Sequence, residues 1–252
     1  KYIRHIMKLP ITEQLFTKSK PIDKLQTLKA INLILDEQEK ASFSVRKIVH
    51  EIDKTVNAVV RHLKKNVSSR LIYVGAGTSG RIGIQDGIEL IPTFGWSADR
   101  IDYIMAGGNE AVLKSVEKAE DDIKKAQELF QKYLINKNDV VIGLAASGNT
   151  PFTCEIIKMA YKTNALTIAI SNNPSGKILK SSDYKLVLDT KEEVIAGSTR
   201  LKAGTAQKIC LNIISTMVMT KLGFVRNGMM INLIPTNEKL KKRKIRIEKN
   251  ID

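Results

Sequence analysis

The chain has 252 residues, of which 43% are apolar and 27% charged, so it can bury a substantial core, and an intrinsically disordered chain is excluded. Its net charge is +15, but the lysines are spread along the chain, aromatic residues make up 5%, and no recognition motif is present, so we expect no nucleic-acid partner. No apolar stretch approaches the ~20 residues of a membrane span, so we expect no membrane partner either.

The N-terminal part of the chain has the apolar spacing of helices. Residues 23–64 contain no glycine or proline, and apolar residues recur at helical intervals from Leu25 to Leu63. We predict two helices there, separated by a five-residue stretch that contains Ser42 and Ser44. Residues 1–65 are predicted to form a helical N-terminal region that packs on the core.

From Leu71 onward, short apolar runs alternate with helical segments. Most runs are unbroken, which is typical of strands buried on both faces. The predicted strands are 71–74, 103–106, 140–145, 166–171 and 186–188, and the predicted helices are 78–90, 110–133, 151–163 and 175–182. This alternation predicts an α/β fold with an open, mainly parallel five-stranded sheet flanked by helices, which we assign to residues 66–225.

The C-terminal part is predicted to be helical. A long helix over residues 201–222 is apolar on more than one face, which predicts burial in the domain or against a partner subunit. Residues 226–252 are predicted to form a C-terminal tail, with a basic helix at 237–249.

The first predicted strand ends in the loop Gly75-Ala-Gly-Thr-Ser-Gly-Arg81, which opens a helix. Its glycine spacing matches the dinucleotide-binding pattern, but the acidic ribose partner at the end of the second strand is missing, since Ala106-Gly-Gly108 stands there. Hydroxyl groups inside the loop suit the oxygens of a terminal phosphate instead, held at a helix start. The predicted phosphate contacts are Gly77, Thr78, Ser79 and Gly80.

A second loop of similar composition follows the strand at 140–145. It reads Ser147, Gly148, Asn149 and Thr150, and Pro151 suits the first turn of the next helix. Two such loops at the carboxyl ends of parallel strands are predicted to flank one crevice, where open α/β sheets bind ligands. The alternative is that both are ordinary Ser/Thr helix caps. A third turn, 171–176, is predicted only to reverse the chain.

Several motifs resemble those of the N-acetylmuramic acid 6-phosphate etherase family, whose members have the sugar isomerase (SIS) fold. They are 70–81, 89–94, 105–108, 117–122, 145–152, 197–208 and 236–240. The stretch 197–208 is the most specific of these, because a generic SIS domain does not require it. The resemblance covers the chain from about Thr12 to its end and predicts a further C-terminal helical segment in longer members.

The resemblance implies a reaction and its participants. Family members cleave the lactyl ether of N-acetylmuramic acid 6-phosphate to N-acetylglucosamine 6-phosphate and D-lactate, in peptidoglycan recycling, and use no cofactor. We therefore expect a sugar 6-phosphate as ligand and a homodimer. Because Cys154 and Cys210 stand alone and the three histidines form no cluster, we also expect no metal and a reducing, cytoplasmic location.

Two carboxylates are implied as the acid/base pair by the resemblance, Glu89 and Glu120. Apolar neighbours surround Glu89, which predicts a raised pKa for its carboxyl group. Without the family resemblance, the sequence around Glu120 would predict only a solvated acidic face of a helix. Glu89 lies ~15 Å beyond Ser79 on a straight helix. Either the helix breaks near Gly87, or Glu89 serves the partner subunit. Lys202 is predicted either to neutralise a substrate carboxylate or to be a surface lysine.

Departures from the family pattern leave a rival function open. Asn149 stands where an arginine is common, Ala196 where a threonine is common, and Ile88, Leu90 and Ile91 surround Glu89 in place of the usual Ser, Cys and Pro. The alternative is a non-catalytic SIS module that senses a sugar phosphate. Because both Glu89 and Glu120 are present, the lyase is favoured over the sensor, and the stretch 197–208 disfavours a third candidate, an aldose-ketose isomerase.

Overall fold

The computed structural model describes residues 9–235 and 238–249, which build a five-stranded sheet covered by helices on both faces. The strands of this sheet are β1 (Leu71–Gly75), β2 (Ile101–Met105), β3 (Val140–Ala145), β4 (Leu166–Ser171) and β5 (Tyr184–Val187). Their spatial order is β2-β1-β3-β4-β5, and every pairing is parallel. The predicted fold class is confirmed.

Eight α-helices lie in the described residues. They are α1 (Thr27–Arg46), α2 (Val49–Lys65), α3 (Gly77–Phe94), α4 (Glu110–Leu113), α5 (Ile123–Lys132), α6 (Pro151–Lys162), α7 (Lys202–Lys221) and α8 (Glu238–Glu248). A short hairpin, β6 (Val225–Arg226) and β7 (Met229–Met230), follows α7. None of the described helices is long and apolar enough to cross a membrane.

Alternation along the strands creates two apolar layers. Leu71 and Tyr73 of β1 face a layer formed with α1, α2, α3 and α7, whereas Ile72 and Val74 face a layer formed with α5 and α6. The central strands β1, β3 and β4 are therefore buried on both sides, which explains their largely apolar sequences, whereas the edge strands β2 and β5 are partly exposed. Because all five strands are parallel, every loop that follows a strand of this sheet lies at its carboxyl edge.

Three predicted helix boundaries are wrong. Helix α1 continues through Ser42 and Ser44 to Arg46. The Ser44 hydroxyl donates to the Ala41 carbonyl in the preceding turn, so this serine is accommodated within the helix. The predicted helix 110–133 is divided into α4, a 3-10 turn and α5, with Lys118 in the left-handed region at φ 59°. Residues Lys177–Ser181 form a 3-10 helix rather than an α-helix.

Helix α7 lies against α1, α2 and α3, so the predicted burial of residues 201–222 is confirmed within the chain itself. The predicted basic helix near the C-terminus is α8, although Thr236 and Asn237, which belong to the last family motif, lie outside the described residues.

A buried ion pair joins the first turn of α7 to α1. The side chain of Lys202 is 1% exposed, and its ammonium group donates to the Glu37 carboxylate, which Lys40 also contacts. Burial raises the pKa of Glu37, but the hydrogen bonds from both lysines outweigh it, so the pKa lies below its usual value. A charge buried in this way depends on its partner, because removing one member leaves the other unpaired.

We expect Glu37→Gln to lower the free energy of unfolding at pH 7 by roughly 3 kcal/mol, because it leaves the Lys202 ammonium buried without a counter-charge. Urea unfolding of this variant against Glu39→Gln, an exposed carboxylate on the same helix, measures the difference. Because the Glu37 pKa is lowered in the folded state, the difference should shrink as the pH falls below about 4. Equal stability of the two variants at pH 7 would contradict the structural role of the pair.

Candidate functional site

A close contact between two glycines joins β1 to the start of α3. A Cβ atom on Gly75 would lie 2.7 Å from the Gly80 Cα, and one on Gly80 would lie 2.9 Å from the Gly75 carbonyl carbon. Real Cβ atoms do not approach backbone so closely, so glycine is required at both positions. The contact presses the first turn of α3 onto the end of the strand.

The N-terminus of α3 lacks a side-chain cap. Its N-cap residue is Ala76, which has no side-chain acceptor, and the N–H groups at the first positions of a helix have no partner inside the helix. The ordinary Ser/Thr cap considered above is therefore wrong for this loop. The exposed amides and the helix dipole leave a binding position for an anion.

The N-terminus of α7, unlike that of α3, is capped by a side chain of the chain itself. There the Glu193 carboxylate accepts hydrogen bonds from the backbone N–H groups of Lys202 (3.3 Å) and Ala203 (2.8 Å). The chain thus supplies its own anion at α7 but supplies none at α3. Burial raises the pKa of Glu193, and the two N–H groups act in the opposite direction.

The second loop also lacks a conventional cap. Thr150 is the N-cap residue of α6, but its side chain makes no cap hydrogen bond. Pairing of Gly75 with Leu144 places the loop after β3 beside the loop after β1, as predicted. Gly148 adopts φ 70°, and a Cβ there would lie 2.5 Å from the Gly176 Cα.

The third turn does more than reverse the chain, contrary to expectation. The Asn173 side-chain amide donates to the Ser147 carbonyl (3.0 Å), and the Lys177 N–H donates to the Asn149 Oδ1 (3.1 Å). The Ile178 N–H donates to the Gly148 carbonyl at 2.9 Å. The turn and the first residues of the 3-10 helix after it therefore fix the shape of the second loop, a role that local sequence does not signal.

A cavity of about 300 Å³ opens beside the first loop, at the lower end of the range for small-molecule sites. Gly77 lines one wall, the end of β2 lines another, and residues 114–120 form the rim. The cavity brings Gly77 and Glu120 together, although they are 43 positions apart in the chain. Ser147, Gly148, Asn149 and Thr150 do not line it and lie on the other side of β1.

Arg81 braces the rim. Its guanidinium group donates to the backbone carbonyls of Ala111 (2.8 Å), Val112 (2.9 Å) and Lys114 (3.1 Å). Because Arg81 belongs to the second turn of α3, these bonds tie the segment after β2 to the helix that starts at the first loop. The Nε and Nη2 donors of this guanidinium are directed at the backbone.

Glu89 lies on the exposed side of α3. The helix is continuous from Gly77 to Phe94, so the first of the two alternatives, a helix break near Gly87, is wrong. A single chain does not surround Glu89 with apolar side chains as predicted, because its neighbour Leu90 points into the core and is buried, whereas its other neighbour Ile88 is 49% exposed. Glu89 thus stays ~15 Å along the helix from Ser79.

Of the two predictions for Lys202, the surface lysine is wrong, and the substrate contact stays a prediction. Lys202 is buried rather than on the surface, and its ammonium group is bound by Glu37. A substrate contact by Lys202 therefore finds no support in this arrangement.

Sequence reasoning missed a buried carboxylate in α3. Asp86 is 2% exposed and accepts hydrogen bonds from the Tyr73 hydroxyl (3.0 Å), Asn212 (2.7 Å) and Ser215 (3.2 Å). Burial raises the pKa of Asp86, and these donors lower it less. The network ties α3 to β1 and α7. Asp86 and Ser215 are 129 positions apart, so no local signal marks the network.

Acidic residues near β2 do not form a ribose or metal site. Asp102 pairs with Arg70 (3.0 Å) near the start of β2, away from the carboxyl edge, which argues against the dinucleotide alternative. Within residues 9–235 and 238–249, no group of His, Cys, Asp and Glu is arranged to hold a metal ion.

Known proteins resemble this chain in sequence and fold. A model of the glucokinase regulatory protein N-terminal SIS domain matches residues 51–161. The chain is 44% identical over 236 residues to the N-acetylmuramic acid 6-phosphate etherase of Clostridium acetobutylicum, covering 94% of this chain and 78% of that protein. It is 40% identical over 240 residues to the etherase of Mycoplasma mycoides, covering 95% and 79%. A phosphoheptose isomerase structure from Francisella tularensis has a TM-score of 0.59 at 15% identity, covering 78% of this chain and 100% of that one.

We expect Thr78→Val and Ser79→Ala each to weaken binding of N-acetylglucosamine 6-phosphate by roughly 3- to 10-fold, because each removes one hydroxyl donor to the phosphate. Titration calorimetry measures the dissociation constants. Thr27→Val, which removes an exposed hydroxyl from α1, is the matched control. Unchanged affinity in both loop variants would contradict phosphate binding at this loop.

Proposed function

Because the chain belongs to the N-acetylmuramic acid 6-phosphate etherase family, we propose that the cavity at Gly77 is where it cleaves the lactyl ether of this substrate. The protein is a carbon–oxygen lyase that forms N-acetylglucosamine 6-phosphate and D-lactate, in amino-sugar recycling. The observation that carries the placement is the cavity itself, which joins the first loop to Glu120.

The phosphate lies at the uncapped start of α3 in this proposal. There we expect the free N–H groups and the hydroxyls of Thr78 and Ser79 to donate to its oxygens, although neither of these two residues lines the cavity itself. The sugar ring then extends along the cavity toward the rim segment 114–120. Ser147 and Thr150 approach the phosphate from the neighbouring strand β3, since their loop lies beside the first one.

Glu120 acts on the sugar at the rim. The elimination needs a base that removes the proton at C2 and an acid that protonates the departing lactate oxygen at C3, and water then adds at C3. Glu120 lines the cavity with its side chain open to solvent, so it can exchange a proton with either substrate or water. We assign Glu120 one of the two roles and Glu89 the other.

Glu89 reaches the reaction from a second subunit in this proposal. It lies on an exposed face of α3 together with Ile88, and the neighbouring helix α7 exposes Ile213 and Met217. Partly exposed apolar residues on two adjacent helices are typical of a surface covered by a partner. A homodimer that buries this face would give Glu89 the apolar surroundings that one chain lacks.

The remaining expectations fit the same proposal. Residues 66–225 would form the sugar-phosphate-binding domain, with 1–65 as a helical addition and 226–252 as the tail. Cys154 and Cys210 are unpaired, in keeping with a cytoplasmic location, and the pathway we propose is peptidoglycan recycling. A sensor has no need of an acid/base pair, so the presence of Glu89 and Glu120 favours the lyase.

We expect the protein to release D-lactate from N-acetylmuramic acid 6-phosphate, and Glu120→Gln to lower kcat by roughly 100- to 10,000-fold, because proton transfer is lost. An enzymatic D-lactate assay measures both, and Glu128→Gln, an exposed carboxylate on α5, is the matched control. If the wild-type protein binds the substrate but releases no lactate, it is a sensor and the lyase proposal is wrong.

Mixing Glu89→Gln with Glu120→Gln subunits tests the shared site. If Glu89 serves the partner, each mixed dimer regains one intact site, so a random equal mixture should recover about a quarter of wild-type activity. Each variant alone is the control, and native mass spectrometry verifies that mixed dimers have formed. Mixed dimers without recovered activity would show that both carboxylates act in one subunit.

A further inference from the structure

The substrate of the proposed reaction carries two anionic groups, and the structure suggests a separate position for the second one. The phosphate is accounted for by the start of α3, but the lactyl group ends in a carboxylate that enters the same cavity. A carboxylate taken out of water needs a cation or several donors. The inference that follows rests on the proposed function, because it names the residue that recognises this second group.

Two other basic residues, Arg81 on the cavity wall and Lys202 at the start of α7, are already engaged. The Lys202 ammonium is buried against Glu37, and the Arg81 guanidinium donates to the backbone carbonyls of Ala111, Val112 and Lys114. Moving either group toward a ligand would leave a buried carboxylate or backbone carbonyls without a partner, which is costly. The cation for the lactyl carboxylate therefore comes from elsewhere.

Lys114 lines the same cavity as Gly77 and Glu120. Its main chain is held on both sides, because its N–H donates to the Glu110 carbonyl (2.9 Å) and its carbonyl accepts from Arg81 (3.1 Å). Its side chain is exposed, and the ammonium group makes no ion pair with any residue that the structure describes. A fixed backbone with a free cation is suited to bind an anion in the cavity.

We propose that Lys114 binds the lactyl carboxylate and thereby selects the lactyl ether over sugar phosphates that lack it. Arg81 is a positioning residue in this arrangement, since it holds the Lys114 main chain at a fixed place relative to α3 and its phosphate position. The cavity then recognises both ends of the substrate, with the phosphate at the helix start and the carboxylate at the rim, and Glu120 lies on the same rim.

A second lysine of the rim fits less well. Lys118 lines the cavity but also lines a neighbouring one on the far side of the rim, and it adopts the left-handed backbone conformation at φ 59°. Lys118 is also closer in sequence to Glu120, the proposed acid/base group, than Lys114 is. A Lys118 variant therefore tests whether the effect of losing a lysine is specific to Lys114.

The test measures three ligands in the D-lactate assay. We expect Lys114→Met to raise KM for N-acetylmuramic acid 6-phosphate by roughly 10- to 100-fold, as expected for loss of a charge-assisted hydrogen bond. The inhibition constants of N-acetylglucosamine 6-phosphate, and of a substrate analogue whose lactyl carboxylate is replaced by a carboxamide, should not change. Lys114→Arg should restore most of the affinity, and Lys124→Met, an exposed lysine on α5, is the charge-matched control.

Three outcomes would overturn the inference: no change in KM, an equal loss of affinity for all three ligands, or the selective effect in Lys118→Met instead of Lys114→Met. Failure of the proposed function is recognised separately, because the wild-type protein would then release no D-lactate. Circular dichroism of each variant identifies a folding defect. Lys114→Arg, which keeps the charge, provides a second measurement if Lys114→Met is unstable.

Discussion

The contact between Gly75 and Gly80 is the constraint on which the site depends. It brings the backbone of α3 against the end of β1 at a distance that no side chain permits. The direction of α3 follows from it, and with that direction come the uncapped amides at its start, the brace of Arg81 and the exposed face that carries Glu89. One backbone contact thus sets the positions of groups spread over more than a helix turn.

The buried ionisable side chains described above stabilise the fold, whereas the two carboxylates proposed for catalysis are exposed. Asp86, Glu193 and the Lys202–Glu37 pair each hold α7 to another part of the chain, and each is satisfied by hydrogen bonds. Glu89 and Glu120, by contrast, are exposed in the single chain. A carboxylate already engaged in a structural network cannot easily give up a proton to a substrate, so the two sets are kept apart.

The cavity is assembled from segments that are distant in sequence. The first loop supplies the anion position, the segment after β2 supplies the rim, and Arg81 links them. The rim has little regular structure, since α4 has four residues and the left-handed Lys118 interrupts the helix that periodicity predicts. This irregularity turns residues 114–120 back over the start of α3 instead of letting them continue away from it.

The sequence by itself determined the fold class, the five strands, the two loops and the buried helix α7, because these depend on local apolar period and on glycine and hydroxyl content. Only the tertiary structure decided that Lys202 is buried against Glu37, that α3 is unbroken at Gly87, and that Glu120 shares a cavity with Gly77. The reason is physical, because burial and ion pairing depend on which distant segments of the chain meet. Such contacts produce no periodic pattern in the sequence around the residues that make them.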